Sequence, residues 1–294
     1  MVRGALALLA AACVLCPSEA LAFCRTTNCT CASATTCSTD CPTDSNGCPA
    51  KGDPVAWSGG CAGFSLDLQG TSVLSADQWT DAIVQAFGTW TTVDCGGGNP
   101  PSFDLLQLRD VACGKSEYNP NGPNVNVVYF TDDGWSGANI DGTLALTTVT
   151  FSDSGQILDA DMAINSARND FTVSDDNVQV DLVSIVTHEV GHFLGVAHSP
   201  YSSAVMYYSY APGTIKRTLT SDDIAAVCTI YPPGQQKTCD PVPQGGLDSS
   251  CSAPSHGCDV TTSDRPSDGF GVIGFALAVV GLGTRGLVKR RGPR

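Results

Sequence analysis

Residues 188–198 read HEVGHFLGVAH and contain three of the four histidines in the chain. In this stretch His188 and His192 stand four residues apart. On a helix, both would project from one face towards a single ion. If the helix continued, His198 would lie about 9 Å further along the axis, too far away to join them. The helix must therefore end before His198, and Gly195 tolerates the positive φ that such a turn needs.

The three histidines have the composition of a catalytic zinc site. Neutral imidazoles of His188, His192 and His198 would leave the fourth position of a tetrahedral zinc ion for water. Glu189 is adjacent to that position and can accept a proton from the water. The sequence therefore predicts one catalytic Zn²⁺ with these three ligands, and Glu189 as the general base.

The full pattern, H-E-x-x-H-x-x-G-x-x-H followed by Met206, resembles the metzincin zinc endopeptidases. Within that clan, Ser199, Leu219 and the run Asp222-Asp223-Ile224 resemble the matrixin branch, peptidases of the M10 type. The resemblance implies an α+β catalytic domain, with helices packed on a twisted, mostly parallel sheet and the zinc on the active-site helix. It also implies hydrolysis of peptide bonds in a protein or peptide substrate.

Two alternatives to an active matrixin follow from the same residues. The first is a catalytically inactive, zinc-containing adhesion or binding module, but such a module has no need of a general base like Glu189 beside the metal. The second is an astacin-like metzincin. The matrixins typically follow their Met-turn methionine with Tyr-Pro, whereas this chain reads Met206-Tyr207-Tyr208.

Tyr208 is a second candidate catalytic residue. In astacins and serralysins, a tyrosine two residues after the methionine can ligate zinc and swing to stabilise the oxyanion. A phenol has the chemistry for either task. Packing within the loop is the alternative role for Tyr208, and the sequence leaves the two open. Met206 itself is expected to lie under the histidines as an apolar floor.

The N-terminal part of the chain indicates export. Residues 1–22 have one early arginine, an apolar run and an A-x-A cleavage signal, which together predict a signal peptide and a secreted, extracellular or cell-surface protein. The thirteen cysteines beyond residue 22 indicate an oxidising compartment. Six of them fall within the predicted Cys-rich segment 23–60, which is either an inhibitory pro-region or a small disulfide knot. No P-R-C-G-x-P-D switch occurs there, which favours the knot.

Periodicity and capping signals place the main elements of a catalytic domain over residues 61–234. A capping box at Ser75 opens an amphipathic helix, and Asp175 and Asp176 would lie at the positive end of the zinc helix. We also expect a disulfide between Cys95 and Cys113 across a Gly/Pro-rich connection. The predicted elements are helices from residue 76, from near 177 and from 221, and strands over 124–131, 144–151 and 155–164.

The C-terminal composition changes twice. Residues 235–268 are rich in Pro, Gly, Ser, Asp and Thr and predict a linker. Residues 269–294 combine a short apolar stretch with a basic end, which predicts a transmembrane or sorting tail that attaches the protein to a membrane or cell surface. Together with Cys258, this tail resembles sorting tails of the MYXO-CTERM type. Cys258 is also the expected odd cysteine after twelve others have paired.

Charge limits the class of partner. Residues 23–268 hold nine basic and twenty-eight acidic side chains, a net charge of −19, which argues against a nucleic-acid partner. Matrixins bind calcium near the sheet, so Ca²⁺ is a further expectation, with solvated acids as the alternative. No histidine lies near residues 144–146 or 155–158, so we expect no second structural zinc, and we expect a monomer. The candidate calcium ligands are Asp132, Asp133, Asp153, Asp159 and Asp161.

Overall fold

A computed structural model describes residues 23–29, 41–135, 142–249 and 270–279. The predicted signal peptide over residues 1–22 and the predicted odd cysteine, Cys258, lie outside these ranges. The described chain combines one large sheet with three helices, which confirms the predicted α+β class.

The strands are β1 (Cys61–Leu66), β2 (Asp104–Gln107), β3 (Val127–Phe130), β4 (Thr143–Ser152), β5 (Ile157–Ile164), β6 (Phe171–Thr172), β7 (Val180–Asp181), β8 (Ser209–Tyr210) and β9 (Phe270–Val279). The large sheet has seven of them, in the order β2-β1-β3-β5-β4-β9-β8. Strands β2, β1, β3 and β5 are parallel to one another, whereas β4 is antiparallel to both β5 and β9. Strands β8 and β9 are parallel, and so is the separate pair β6 and β7, which precedes the central helix.

The helices are α1 (Ala76–Thr91), α2 (Leu182–Phe193) and α3 (Ser221–Ile230). Helix α1 begins with the predicted capping box, in which Ser75 and Gln78 satisfy each other's backbone N–H groups. Its aromatic stripe is part of the core, because Phe87 stacks on Phe64 of β1 at 3.7 Å between ring centroids. Phe87 also meets Phe193 of α2 edge-on at 5.5 Å. The core therefore lies between the sheet and the helices, and every residue of α2 is buried.

The predicted start of the zinc helix, near residue 177, is wrong. Helix α2 begins at Leu182, with Asp181 as the N-cap residue that accepts a hydrogen bond from the Ser184 N–H at 2.8 Å. Asn177 has a φ of 56°, which breaks any helix at that point. Asp175 instead forms an ion pair with Arg217, with Oδ1 of Asp175 at 2.8 Å from Nη1 of Arg217.

The predicted disulfide between Cys95 and Cys113 is also wrong. Cys95 pairs with Cys228 of α3, which ties the loop after α1 to the last helix. Cys113 is disulfide-bonded as well, but to a different cysteine. The prediction paired two cysteines that are close in sequence, whereas the true partner of Cys95 lies 133 residues away.

The N-terminal segment packs behind the zinc helix and contains two described disulfides, Cys24–Cys48 and Cys29–Cys41. Backbone hydrogen bonds join it to the end of that helix, since Thr26 N–H donates to Gly195 O at 3.0 Å. Both disulfides join cysteines within the segment itself. Its assignment as a disulfide knot or as a pro-region stays a prediction.

Two findings concern the C-terminal third of the chain. The described part of the predicted linker, residues 235–249, is attached to the domain by the Cys61–Cys239 disulfide and by a β-bridge between Asn124 and Leu247. Beyond it, Phe270–Val279 is a strand and not the helix that a transmembrane tail would need. Glycine and β-branched residues in this stretch have weak helix propensity.

None of the helices in the described ranges is long and apolar enough to cross a membrane. Attachment through residues 269–294 stays a prediction from the sequence.

Candidate active site

The N-terminus of α2 is fixed by a partly buried ion pair. The side chain of Asp181 is fully buried and receives two N–H groups of Arg217, with Nε at 2.9 Å from Oδ1. The same carboxylate oxygen accepts from the Ser184 hydroxyl at 2.6 Å. The pair therefore sets the position of the helix that presents the metal ligands.

The three predicted histidines converge. Nε2 of His192 lies 3.0 Å from Nε2 of His188 and 3.2 Å from Nε2 of His198. A tetrahedral zinc with bonds of about 2.0–2.1 Å would hold its ligand nitrogens about 3.3 Å apart, so the spacing fits this ion. Among the residues that the structure describes, this is the only group of three His, Cys, Asp or Glu side chains close enough to share a metal.

The tautomers of two histidines follow from their hydrogen bonds. Nδ1 of His188 contacts the carbonyl of Val205 at 2.7 Å, and Nδ1 of His192 contacts the carbonyl of Val196 at 2.8 Å. A carbonyl only accepts, so both Nδ1 atoms must donate and both Nε2 atoms present lone pairs. Lone pairs that face each other at 3.0 Å require a cation between them. The donor set therefore fits a metal ion.

Burial keeps the three imidazoles in the neutral form that binds metal. It lowers the pKa of His188 to about 3, with the nearby His198 adding to the effect. Burial likewise lowers the pKa of His198 to about 4 and holds that of His192 well below its ordinary value. All three side chains are therefore available as ligands at neutral pH.

Gly195 ends the helix in the predicted way. Its φ is +89°, and a Cβ there would come within 2.2 Å of the Val55 carbonyl oxygen. The carbonyls at this helix end are satisfied from distant parts of the chain. Trp57 Nε1 donates to Phe193 O at 2.8 Å, and the Tyr231 hydroxyl donates to Leu194 O at 3.0 Å. The turn that brings His198 back to the helix is thus held on several sides.

Glu189 is fully buried beside the histidines, on the helix that carries two of them. Oε2 of its carboxylate accepts a hydrogen bond from the Thr147 hydroxyl of β4 at 2.6 Å. The same hydroxyl lies 3.3 Å from the Glu189 carbonyl oxygen. Strand β4 therefore contributes directly to the orientation of the predicted base.

Met206 is buried and packs against Gly191 of α2. The sequence predicted an apolar floor under the histidines at this residue. A Cβ at Gly191 would meet Met206 Sδ at 2.1 Å, so only glycine allows this contact. Asp223 of α3 holds the methionine turn by accepting from Val205 N at 3.0 Å and from Met206 N at 3.1 Å. Because Val205 also accepts from His188, the last helix helps to orient a metal ligand.

A sequence profile of the matrixin family matches residues 57–232, which is more than half of the chain and includes the whole site. The chain belongs to the matrixin family. The match also includes strand β4 and the Asp223 turn, two parts of the site that lie outside the histidine motif.

Several known proteins are similar to this matrixin. Metalloendoproteinase 1-MMP of Arabidopsis thaliana is 35% identical over 209 residues, which are 71% of this chain and 50% of that protein. Karilysin of Tannerella forsythia is 27% identical over 65% of this chain and 34% of its own length. Matrix metalloproteinase-C of Caenorhabditis elegans is 28% identical over 57% and 27%. The chain thus spans half or less of the length of these relatives.

Tyr208 lies at the rim of the matrixin site. Its ring centroid is 6.4 Å from that of His198, its side chain is 50% exposed, and its nearest aromatic neighbour is Tyr207 at 4.5 Å. Tyr208 is therefore close to the metal ligands without being packed among them. Its catalytic role stays a prediction.

The acidic side chains expected to bind calcium already have protein partners in two cases. Asp132 accepts hydrogen bonds from Thr71, Ser72 and Ser166. Asp161 accepts from the Val127 and Glu117 N–H groups at 2.9 and 3.1 Å. Calcium binding stays a prediction.

Two functional residues of this matrixin were missed by sequence reasoning. Thr147 carries no signal, because it is one of several β-branched residues in a predicted strand. Asp223 was noticed as part of a family-like run, but nothing local shows that its carboxylate reaches back to residues 205 and 206.

Proposed function

We propose that the chain is a zinc-dependent endopeptidase that hydrolyses peptide bonds in protein or peptide substrates. The observation that carries the proposal is the pairing of three convergent, neutral imidazoles with the buried carboxylate of Glu189. Of the relatives named above, one is a metalloendoproteinase and one a matrix metalloproteinase by name, which supports the same reaction class.

His188, His192 and His198 would hold the zinc ion. Zinc in such a site supplies Lewis acidity and lowers the pKa of water to about 7. Glu189 accepts a proton from the attacking water and passes it to the leaving amine. Thr147 keeps the Glu189 carboxylate in one orientation during both transfers. Tyr208, at the rim, donates a hydrogen bond to the developing oxyanion.

We further propose that the protein acts outside the cell as a monomer. The disulfides in the described ranges need an oxidising compartment, which supports export. The net charge of −19 over residues 23–268 supports a protein substrate rather than a nucleic acid.

A direct test is cleavage of casein and gelatin by purified protein, with and without a zinc chelator. Activity that the chelator abolishes and added zinc restores is the expected result. The Glu189→Ala protein, with its zinc content measured, is the matched control. Activity that persists in the chelator would overturn the proposal.

A further inference from the structure

Strand β9 is the last strand but one of the large sheet and lies beside the metal ligands. It pairs antiparallel with β4 along its whole length, from Ser152 opposite Phe270 to Thr143 opposite Ala278. On its other side it pairs in parallel with β8, where Ser209 lies opposite Ala278. The strand therefore lies between β4, which contacts Glu189, and β8, which begins three residues after Met206.

The register brings the middle of β9 to the candidate active site. Phe275 lies opposite Thr147, the residue that donates to Glu189. The Phe275 ring stacks on the imidazole of His192, with ring centroids 4.2 Å apart and planes only 10° from parallel. Ile273 and Phe275 also pack against the buried core. The segment thus covers a metal ligand with an aromatic ring.

An endopeptidase must bind its substrate as an extended chain at the reactive groups. Addition of a strand to a free sheet edge is a general way to do so, because backbone hydrogen bonds hold any sequence. The edge of β4 beside Glu189 is the edge that suits this purpose, and β9 is paired with it. Substrate and β9 therefore require the same backbone groups.

We propose that residues 270–279 are a ligand of the cleft carried on the same chain, which competes with substrate for the edge of β4. This inference rests on the proposed peptidase function. It adds a form of autoinhibition: the apolar strand β9 blocks the substrate-binding edge of β4. The enzyme becomes active when β9 dissociates from β4.

Because strand β9 is part of the same chain as β4, weak intrinsic binding is enough to keep the two strands paired. Twenty residues of sequence, 250–269, join the domain to the strand. A tether of that length gives an effective concentration of about 1 mM. A strand with an intrinsic Kd of about 0.1 mM would then be bound in about ten molecules for each free one. Substitutions that abolish strand pairing should therefore raise kcat/KM by about tenfold.

The experiment uses the whole zinc-loaded chain and a short fluorogenic peptide substrate. Gly274→Pro removes a backbone N–H in the middle of β9, where proline is disfavoured, and Phe275→Asp removes the ring from His192. Val288→Asp, which changes the apolar tail outside the strand, is the control. We expect about a tenfold rise in kcat/KM for the first two variants and no change for the control. Equal kcat/KM in all four proteins would overturn the inference.

A second measurement does not depend on activity. In a Glu189→Gln background, hydrogen exchange of the β4 amides that face away from β5 should be slow, and Gly274→Pro should speed it by about tenfold. If Gly274→Pro exposes the β4 amides but no protein cleaves peptide, the peptidase function fails, and what stands is the pairing of residues 270–279 with β4. If the parent cleaves peptide and its β4 amides exchange freely, the inference fails and the function stands.

The proposal requires that the strand binds in cis. The low activity of the parent should then be the same at every protein concentration. Inhibition that disappears on dilution would show that the segment comes from a second copy, and would overturn the cis arrangement.

Discussion

The hydroxyl of Thr147 in β4 donates to Oε2 of Glu189 in α2 at 2.6 Å. Both side chains are completely buried, and 42 residues of sequence separate them. The contact joins the strand that borders the cleft to the proposed general base. A hydrogen bond to a buried carboxylate contributes about 1.5–3 kcal/mol, enough to fix the carboxylate in one orientation.

We expect Thr147→Val to lower kcat by about tenfold or more with little change in KM, because the variant keeps the shape of the side chain and loses the donor. Zinc content should be unchanged. Thr147→Ser should restore most of the activity, since it restores the hydroxyl. Steady-state kinetics and zinc analysis of the parent and the two variants provide the check. An unchanged kcat in Thr147→Val would show that the Thr147 hydroxyl does not assist catalysis.

Gly191 is predicted to be irreplaceable for packing. A Cβ there would lie 2.1 Å from Met206 Sδ and 2.9 Å from the Trp90 ring, so Gly191→Ala should destabilise the zinc-loaded fold by about 1–3 kcal/mol. Gly88→Ala in α1 is the matched control, because a Cβ there meets nothing within 4 Å. The control should be neutral or gain up to about 1 kcal/mol. Equal thermal stability of the two variants would contradict the packing of Met206.

The buried pair Asp159 and Asp161 should contribute stability that is lost as pH rises from about 4 to about 7. The three histidines contribute with the opposite sign, because their lowered pKa values favour the folded chain as pH rises. Burial raises the pKa of Asp161 to about 7, and burial together with the adjacent Asp161 raises that of Asp159. The folded chain therefore holds protons that the unfolded chain has released. Each such proton lowers the free energy of unfolding by about 1.4 kcal/mol per pH unit across this window.

Asp159→Asn removes one of these titrating groups and keeps a donor beside Asp161. The free energy of unfolding of this variant should therefore rise relative to that of the parent as pH goes from about 4 to about 7. Urea unfolding at several pH values, in a Glu189→Gln background that prevents self-cleavage, measures the slope. Asp77→Asn, at an exposed position in α1, serves as the control. Identical slopes for the parent and Asp159→Asn would show that the pair does not titrate in this way.

Tyr208→Phe separates catalysis from packing. If the phenol donates to the oxyanion, kcat should fall by about 10²–10³ with KM and zinc content almost unchanged. Tyr207→Phe, on the neighbouring ring, is the control and should leave kcat within a few fold. Unchanged kinetics for Tyr208→Phe would make Tyr208 a loop residue without a catalytic part.

The parts of the fold that could be predicted are those that depend on local spacing. The interval between His188 and His192 fixes two ligands on one helix face, and Gly195 marks the turn that returns the third. The capping box at Ser75 and the β-branched run of β4 are likewise local signals. Each depends on residues within about one or two turns of one another.

The parts that could not be predicted depend on distant partners. Asp175 and Asp181 are equally good helix caps by sequence, but it is Asp181 that is buried and accepts from the Ser184 N–H. Its carboxylate is also paired with Arg217, 36 residues further along the chain. The partner of Cys95 lies on the last helix. The composition after residue 269 predicted a transmembrane or sorting tail, whereas residues 270–279 form a strand paired with β4, a distant part of the chain that local composition does not reveal.

We propose that one zinc ion and Glu189 together hydrolyse the peptide bond. Metal-free protein should be titrated with zinc while bound metal and peptidase activity are both measured, for the parent and for Glu189→Gln. We predict that both proteins bind one tightly held zinc, and that activity rises in step with zinc in the parent and stays at background in Glu189→Gln. Near-parental activity of Glu189→Gln, or two tightly held zinc ions per chain, would contradict the account.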